Sequence, residues 1–519
     1  MHPPVLITTS GIGSRLGDLT TYTNKSLVKL GDKYAICHII EHYPENTEFI
    51  ITIGYFREHV RQFLKLAYPI RNFTFVEVDN YSGVGSSLGY SLLKANYILN
   101  RPFVFHCCDS VILDKPIDYG ESNVLFVANR DSSIHYTNIL VHNDMITDIN
   151  SKGHTDFDYV YTGVSYIYDF SLFWNHLERI YFADKNYKQL SDVDAIRSMM
   201  AFTKFHYSRV YDYFDTGNID SYIYAKDKFE QKFTVLDKSY ESICFLNDKV
   251  IKFVNDVELN KKRILRGKDL YPLTPKILDS SQNFISMEKV EGKLLSETYE
   301  SGEVYTLLKW ANTNLWIEKS VNEDYRKSCY EFYMTKTVSR VSKLPFLVNE
   351  ANNINGLAIK PIFQLLKDID VGKLCTDTFT KFHGDFILDN IIKRQDSYCL
   401  LDWRHEFDNH LKYGDLYYDL SKLMHNIIFN HKNISDKLFH ISYRNGNCIV
   451  DLKCNYFLIQ QLEDFNRFAT EQNFDIKKIK ILTAIIWLNM SPLYETPLRE
   501  FLFYFGKYNL ALCLNQTRP

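Results

Sequence analysis

Asp385, Asn390 and Asp402 are spaced as the parts of a phosphoryl-transfer site. His383-Gly384-Asp385 is followed, after four intervening residues, by Asn390, and a short apolar stretch ending in Leu400-Leu401 leads to Asp402-Trp403. Transfer of a phosphoryl group from ATP needs a carboxylate that takes the proton of an attacking hydroxyl. It also needs oxygen ligands for the magnesium that bridges the nucleotide phosphates. Asp385 has the place of the base, and Asn390 and Asp402 those of the ligands. His383 reads as an orienting, hydrogen-bonded residue, because the acid two positions later already fills the role of base. A second set of residues lies far upstream. Ser10-Gly11-Ile12-Gly13-Ser14-Arg15-Leu16 follows the first apolar strand, and small residues there let backbone N–H groups approach a triphosphate. Arg15 and Lys25 are cations suited to neutralising an α-phosphate while pyrophosphate leaves. Asp109, closing Phe105-His106-Cys107-Cys108-Asp109, and Asp215, in Tyr213-Phe214-Asp215-Thr216-Gly217-Asn218, are acids that can hold a metal at the carboxyl edge of a sheet. Two such sites in one chain suggest two consecutive reactions.

The elements that must carry these residues change character along the chain. A length of 519 residues exceeds what one core supports, so two domains are expected. Up to residue 229 short apolar runs at 5–9, 49–53, 73–78, 103–107 and 124–128 alternate with amphipathic stretches, such as 56–68 with Phe56, Val60, Phe63, Leu64 and Ala67 on one face. That is the pattern of a doubly wound α/β domain with a mixed, Rossmann-like sheet. Past residue 230 strands at 243–246 and 250–254 follow each other across Asn247-Asp248, as in an antiparallel meander, and after Gly292 the pattern is mostly helical. The second expected domain, 230–519, is therefore α+β and bilobal, with a small lobe to about 292 and a larger one beyond.

Composition narrows the function. A net charge of −3 gives no general attraction to nucleic acid or anionic membrane. The 10 cysteines lack paired ligand spacing and suit reduced thiols, which points to a cytoplasmic protein. No segment reads as a membrane span.

In the first domain the loop Gly11-Ile12-Gly13-Ser14-Arg15-Leu16, with Asn24-Lys25-Ser26-Leu27, resembles the sugar-phosphate nucleotidyltransferase family. The resemblance implies nucleotide binding by Ser10, Gly11 and Gly13, catalysis by Arg15 and Lys25, and magnesium on Asp109 and Asp215. It places the nucleobase loop at Gly85-Ser86-Ser87-Leu88-Gly89 and a sugar-phosphate contact at Thr162-Gly163. Ser10 stands where the family usually has glycine, no proline precedes Lys25, and no sugar-contacting acid is evident in Asn150-Ser151-Lys152-Gly153. These departures bear on the acceptor rather than on the reaction.

In the second domain Lys252, within Val250-Ile251-Lys252-Phe253, lies on a strand whose alternation turns it away from its apolar neighbours, as for a lysine that reaches the α- and β-phosphates. Glu258 is a candidate partner for it. The strand from Phe284 to Glu288 and the connection through Val290 to Gly292 can serve adenine through backbone groups. Together with His383 to Asn390 and Asp402-Trp403 these segments resemble the aminoglycoside phosphotransferase and choline kinase family, of protein-kinase-like fold. The resemblance implies Asp385 as catalytic base, Asn390 and Asp402 as metal ligands and Lys252 on the ATP phosphates. Asp415 and Asp419, in Tyr413-Gly414-Asp415-Leu416-Tyr417-Tyr418-Asp419-Leu420, brace the loop. The stretch from Val235 to Ser242 lacks the glycines of a protein-kinase phosphate loop, with Ser239 or Ser242 as substitute donors.

The leading expectation is a bifunctional enzyme. Its second domain phosphorylates a small alcohol or sugar with ATP, and its first joins that phosphate to a nucleotide, CTP by preference, releasing pyrophosphate. The resemblance implies an activated precursor for surface polysaccharide or lipid decoration. No nucleic acid or membrane insertion is expected, and oligomers are possible. Alternatives are a hexose kinase fused to a UTP, dTTP or GTP hexose-1-phosphate nucleotidyltransferase, and a nucleotidyltransferase with a regulatory kinase-like domain. An aromatic cage for a quaternary ammonium acceptor would draw on Trp487, Tyr494 and Glu495, although Trp487 inside Ile485-Ile486-Trp487-Leu488 reads first as core.

Overall fold

The computed structural model describes residues 2–114, 119–185, 189–229, 239–298, 300–395, 397–444, 447–454 and 456–515. It divides into two compact units, Met1–Asn260 with Leu278–Met287, and Lys261–Ile277 with Glu288–Pro519.

The first unit is built on a mixed nine-stranded sheet in the order Asn72–Glu77, Glu48–Ile53, Val5–Thr8, Phe103–Cys107, Tyr159–Ile167, Asn123–Ala128, Phe205–Val210, Met145–Asn150, Asn138–His142. Its first four strands are parallel, with Val5 opposite Phe49 on one side and Val104 on the other. Strands of this kind are covered on both faces and read as continuous apolar runs. Val5 and Ile7 pack with Ile36, Ile40, Phe63 and Leu64 of the helices Ala35–His42 and Arg57–Ala67. Leu6 between them packs on the opposite face with Leu92, Phe173 and Leu177. The chain leaves Val5–Thr8 toward one neighbour, Glu48–Ile53, and later returns on its other side as Phe103–Cys107. The ends of those strands therefore border a topological switch point, where open α/β sheets bind ligands. The expected strands of this region are present within two residues of the expected bounds.

A four-stranded sheet, Glu241–Phe245, Lys249–Val254, Phe284–Glu288, Ile277–Ser280, follows the switch in sequence period. Its first two strands are antiparallel, with Ile243 opposite Lys252. Its apolar face is covered within the first unit: Cys244, Ile251, Phe253 and Phe284 join the cluster of Phe63 and Leu64, and the Phe63 and Phe284 rings lie 5.8 Å apart. The compact units thus divide the chain inside the expected second domain, past its small sheet. The expected boundary at 229/230, and the segment from Val235 to Lys238, reach into 230–238, outside the described residues.

The second unit has a core of the helices Leu416–Ile428, Ile476–Met490 and Leu498–Asn515. The hairpin Ile391–Lys393 with Tyr398–Leu400 carries the loop that follows the strand Thr378–Lys381. Trp487 lies buried in the helical core. A further sheet pairs Phe439–Arg444 with Asn447–Leu452, which on its other side pairs with the short strand at Ile354, in a stretch whose sequence reads as mostly helical. Among the described residues no helix is long and apolar enough to cross a membrane.

Candidate active sites

In the first unit Gly13 takes a left-handed conformation, φ 73°, where a Cβ would meet Lys25 Cβ at 2.9 Å. The loop therefore needs glycine there to close over the lysine. Asn24 fixes the next segment by donating Nδ2 to Thr9 O and Tyr55 O (2.8 and 2.7 Å) while its Oδ1 accepts from Ser26 N (3.0 Å). Lys25 Nζ then reaches Asp109 Oδ2 at 2.9 Å. Burial by itself would lower the lysine's pKa, but the Asp109 carboxylate outweighs it and holds the ammonium well above its ordinary value. Asp109, in turn, is buried yet held far below the ordinary carboxylate range, chiefly by Lys25. Cys107 Sγ donates to its other oxygen at 2.8 Å.

Asp215 comes to the same place because Tyr213–Asp215 pairs antiparallel with Ser110–Ile112. A Cβ on Gly217 would sit 2.9 Å from Asp109 Oδ2 and 3.0 Å from Asp215 Oδ1. The two carboxylates thus converge on a point that glycine leaves open. Burial, and then the neighbouring Asp109 charge, raise the Asp215 pKa, as expected where two like charges share a site. Arg15 is exposed and its charge acts on both acids. Two oxygen donors at the mouth of a sheet, each ready to shed repulsion by sharing a cation, fit magnesium.

The remaining residues expected here divide. Ser10 is buried and its hydroxyl bonds to that of Ser91 (2.8 Å), so it is the backbone of Ser10, Gly11 and Gly13 that is left to a ligand. Gly85, at φ 80°, and Ser86, whose hydroxyl donates to Gly83 O (2.7 Å), form the turn before Ser87, which caps the helix Leu88–Leu93 by accepting from Tyr90 N. Thr162 is buried and commits its hydroxyl to Phe126 O (2.8 Å). Gly163 beside it, at φ 80°, would bring a Cβ to 3.1 Å from Cys107 Cβ.

In the second unit the residues from His383 to Asn390 are fixed from below by the helix Leu416–Ile428. Asp419, fully buried, accepts from His383 N (2.7 Å), Gly384 N (2.6 Å) and Trp316 Nε1 (3.1 Å). Asn426 accepts from Leu388 N at 3.0 Å. Asp415 caps the same helix through Tyr417 N and pairs with Lys478 at 3.1 Å. Gly384 adopts φ 85°, and a Cβ there would lie 2.4 Å from Arg404 Cβ. Asn390 Nδ2 donates to both Asp385 O and Asp385 Oδ2 (3.0 Å each), which leaves its Oδ1 for another partner. Asn390 O accepts from Leu401 N at 2.7 Å, so the hairpin returns Asp402 beside Asn390. Asp402 is exposed, in a left-handed conformation at φ 51°, and its charge acts on Asp385. A carboxylate and an amide oxygen at the mouth of one hairpin are a donor set that suits magnesium.

Two residues here escaped the sequence reading. Lys422 Nζ bonds Asp385 Oδ1 at 2.7 Å. Burial pushes the Asp385 carboxyl up, the lysine pulls it down harder, and it sits below its ordinary value. The only signal for Lys422 is its place one helical turn after Asp419, on the same face. Arg266, fully buried, donates to Phe382 O (2.7 Å), Arg404 O (3.1 Å) and Lys412 O (3.2 Å); nothing in the sequence marks it. His383 accepts from Asp385 N (3.3 Å) through Nδ1, and burial brings its pKa down to about 4. A neutral imidazole of that kind orients the loop.

Lys252, in the first unit, is buried, and its neighbour Glu241 on the adjoining strand lies 3.7 Å away. Glu258 is exposed in the first turn of the helix Val257–Leu270. In the second unit Glu288 donates its N–H to Lys276 O (3.0 Å) and accepts from Lys276 N through its side-chain Oε1 (3.1 Å), and Val290 is half-buried in the connection beyond it.

No family model matches the chain, and no curated protein does. Solved structures with local likeness include the CTP:phosphocholine cytidylyltransferase from Streptococcus pneumoniae, 18% identical over 44% of this chain and 99% of that one, with a TM-score of 0.38. The inositol-1-phosphate CTP transferase from T. maritima is 15% identical over 45% and 98%, at 0.37. UDP-glucose pyrophosphorylase from Acinetobacter baumanii is 14% identical over 44% and 92%, at 0.36. A likeness at these TM-scores carries no argument about activity, which rests on the residues above.

Proposed function

We propose that this chain catalyses two reactions in sequence: phosphorylation of a small alcohol by ATP, and transfer of a nucleotidyl group, from CTP by preference, onto the phosphate so made. The observation that carries the second reaction is the convergence of Asp109 and Asp215 on the point left open by Gly217, with Lys25 on one of them. A phosphate oxygen of the substrate attacks the α-phosphorus, a P–O bond forms, and the bond to the β-phosphate oxygen breaks as pyrophosphate leaves. Lys25 and Arg15 offset the charge that builds on the α-phosphoryl oxygens. Magnesium held by the two acids would supply further charge neutralisation.

The first reaction is supported by the pinned loop of the second unit. Asp385 is ionised and aimed by Asn390 and Lys422, as a base for a hydroxyl proton must be. Asn390 Oδ1 and Asp402 are the residues for the metal of ATP, Lys252 is the residue for its phosphates, and Glu288 and Val290 lie on the segment assigned to adenine. CTP and a product destined for surface polysaccharide or lipid rest on the sequence resemblance, and the cytoplasm rests on the cysteine pattern.

The test uses the full chain with ADP and pyrophosphate followed separately over a panel of alcohols and the four common triphosphates. Asp385→Asn is expected to abolish alcohol-dependent ADP release and leave pyrophosphate release from the ready-made phosphate intact. Lys25→Ala is expected to do the reverse, with the phosphorylated alcohol accumulating. Should Asp385→Asn run the whole sequence unchanged, the kinase half is wrong.

A further inference from the structure

Next to the Asp385 loop the second unit carries an open cavity of about 390 Å³, lined among others by Glu331, Phe332, Lys336, Arg404, Glu406 and Asp408. Its basic side chains lie against an aromatic ring. Lys336 Nζ lies 4.1 Å from the centre of the Phe332 ring and Arg404 Cζ 4.8 Å from it. Arg404 donates Nε to Glu406 O at 2.9 Å. Among the described residues neither its terminal nitrogens nor Lys336 Nζ has a hydrogen-bond or ion-pair partner. Burial first, then the charges of Arg404, Arg340 and Lys422, bring the Lys336 pKa down to about 6, and every charged group acting on it is a cation. Glu406 is drawn off by Lys262, 2.7 Å away, and His405, its pKa brought to about 4 chiefly by burial, is neutral at pH 7. The cavity's Arg404 is tied to the loop of the candidate base. Arg404 N donates to His383 O (3.0 Å), and Lys422, one of the charges crowding Lys336, is the lysine that holds Asp385.

Burial and the Arg404 charge disfavour the charged form of Lys336, and an anion placed between the two side chains offsets both and restores the lysine's charge. An arginine fork with a lysine beside it is a common way to take a carboxylate or phosphate. We propose that this cavity binds an anionic group, carboxylate or phosphate, between Lys336 and Arg404, so that the alcohol phosphorylated by the second unit is an acidic one. Glu331 and Asp408 are then acceptors for its hydroxyls. This rests on the kinase reading for the role of the ligand, not for its binding. A quaternary ammonium alcohol would meet the Arg404 charge and be disfavoured.

The experiment is calorimetric titration of the full-length protein with glycerate, with glycerol 1-phosphate, and with glycerol and choline as controls, paired with ATP-dependent ADP release from each. One of the two anions is expected to bind, and which one does identifies the group. Its affinity is expected to fall about tenfold or more in Lys336→Met, the loss of one charge-assisted hydrogen bond, to recover in Lys336→Arg, and to persist in Asp385→Asn. Unfolding curves for Lys336→Met that match the parent exclude a folding defect. If neither anion binds, if choline binds better, or if Lys336→Met and Arg404→Met both bind like the parent, the anion site is overturned. If the anion binds as expected but no acceptor gives ADP, the kinase reading falls and the acceptor role with it.

Discussion

Gly217 is where the chemistry of the first unit is most exposed to a single methyl group. A Cβ there would lie within 3.0 Å of oxygens from both Asp109 and Asp215, so alanine has to displace the carboxylates. Displacement of about 1 Å costs on the order of 10²-fold in rate. Gly217→Ala is therefore expected to slow pyrophosphate release by about that factor while the thermal unfolding curve stays put. At Asp385 the expectation concerns pH. The parent's carboxyl is held below its ordinary value by Lys422 against burial. A base must be deprotonated, so the acid limb of its kcat/KM profile for phosphorylation lies below the range of an ordinary carboxylate. Lys422→Met removes the lowering charge and leaves the burial, so that limb is expected to climb toward neutral pH, read from a pH series of ADP release. These two cases differ in how far sequence revealed them. Asp385, Asn390 and Asp402 are legible because the loop and hairpin that join them are short, so spacing along the chain mirrors spacing in the site. Lys422 and Arg266 come from separate helices, and the partner beside Lys252 is Glu241 on the neighbouring strand, a relation set by register rather than by sequence distance. Thr162 shows the opposite limit, since the motif locates the turn but not the direction of the hydroxyl, which bonds within the sheet.

The helix Leu416–Ile428 is the element on which the second site stands. It supplies Asp419 to the backbone of His383 and Gly384, Lys422 to Asp385, and Asn426 to Leu388. Buried donors left without an acceptor cost about 1–3 kcal/mol each. Asp419→Ala strands three of them and is expected to destabilise the second unit by roughly 3 kcal/mol or more. Denaturant unfolding would detect this as an earlier transition of that unit with the transition of the first unit unmoved, since two compact units need not unfold together. Elements were legible where a period was pure. Buried parallel strands such as Val5–Thr8 and the one-faced helix Arg57–Ala67 fall within two residues of their expected bounds. The hairpin of Phe439–Arg444 and Asn447–Leu452 is absent from the sequence reading although Phe439-His440-Ile441-Ser442-Tyr443-Arg444 alternates strictly, because that short period-2 run lies between longer helical stretches and its partner strand does not alternate. The small sheet near residue 250 was read correctly as antiparallel. Its packing on Phe63 and Leu64 was not foreseen, because a sheet's sequence marks its apolar face but not the element that covers it.

At the scale of the whole molecule the two candidate reactions share no residue. Asp109, Asp215, Lys25 and Arg15 are proposed for one, and Asp385, Asn390 and Asp402 for the other. Each inactivating substitution therefore leaves one complete set untouched. The product of the kinase step is the nucleophile of the transfer step, and a small charged phosphate is freely soluble. An equimolar mixture of Asp385→Asn and Lys25→Ala proteins is therefore expected to turn alcohol, ATP and CTP into the nucleotidylated product. That product should appear after a lag that shortens as protein concentration rises, because the phosphate made on one chain must diffuse to another. The parent at the same site concentration has the same obligatory intermediate and is expected to show a comparable lag if that intermediate is released to solvent. Time courses of ADP and pyrophosphate in the two samples decide the matter. A parent with no lag beside a mixture with a long one would mean that the phosphate passes between sites of one chain without mixing with the bulk. A mixture that forms no product, though the Asp385→Asn chain still uses added phosphate, would mean that the kinase site of the Lys25→Ala chain does not release its phosphate to solvent.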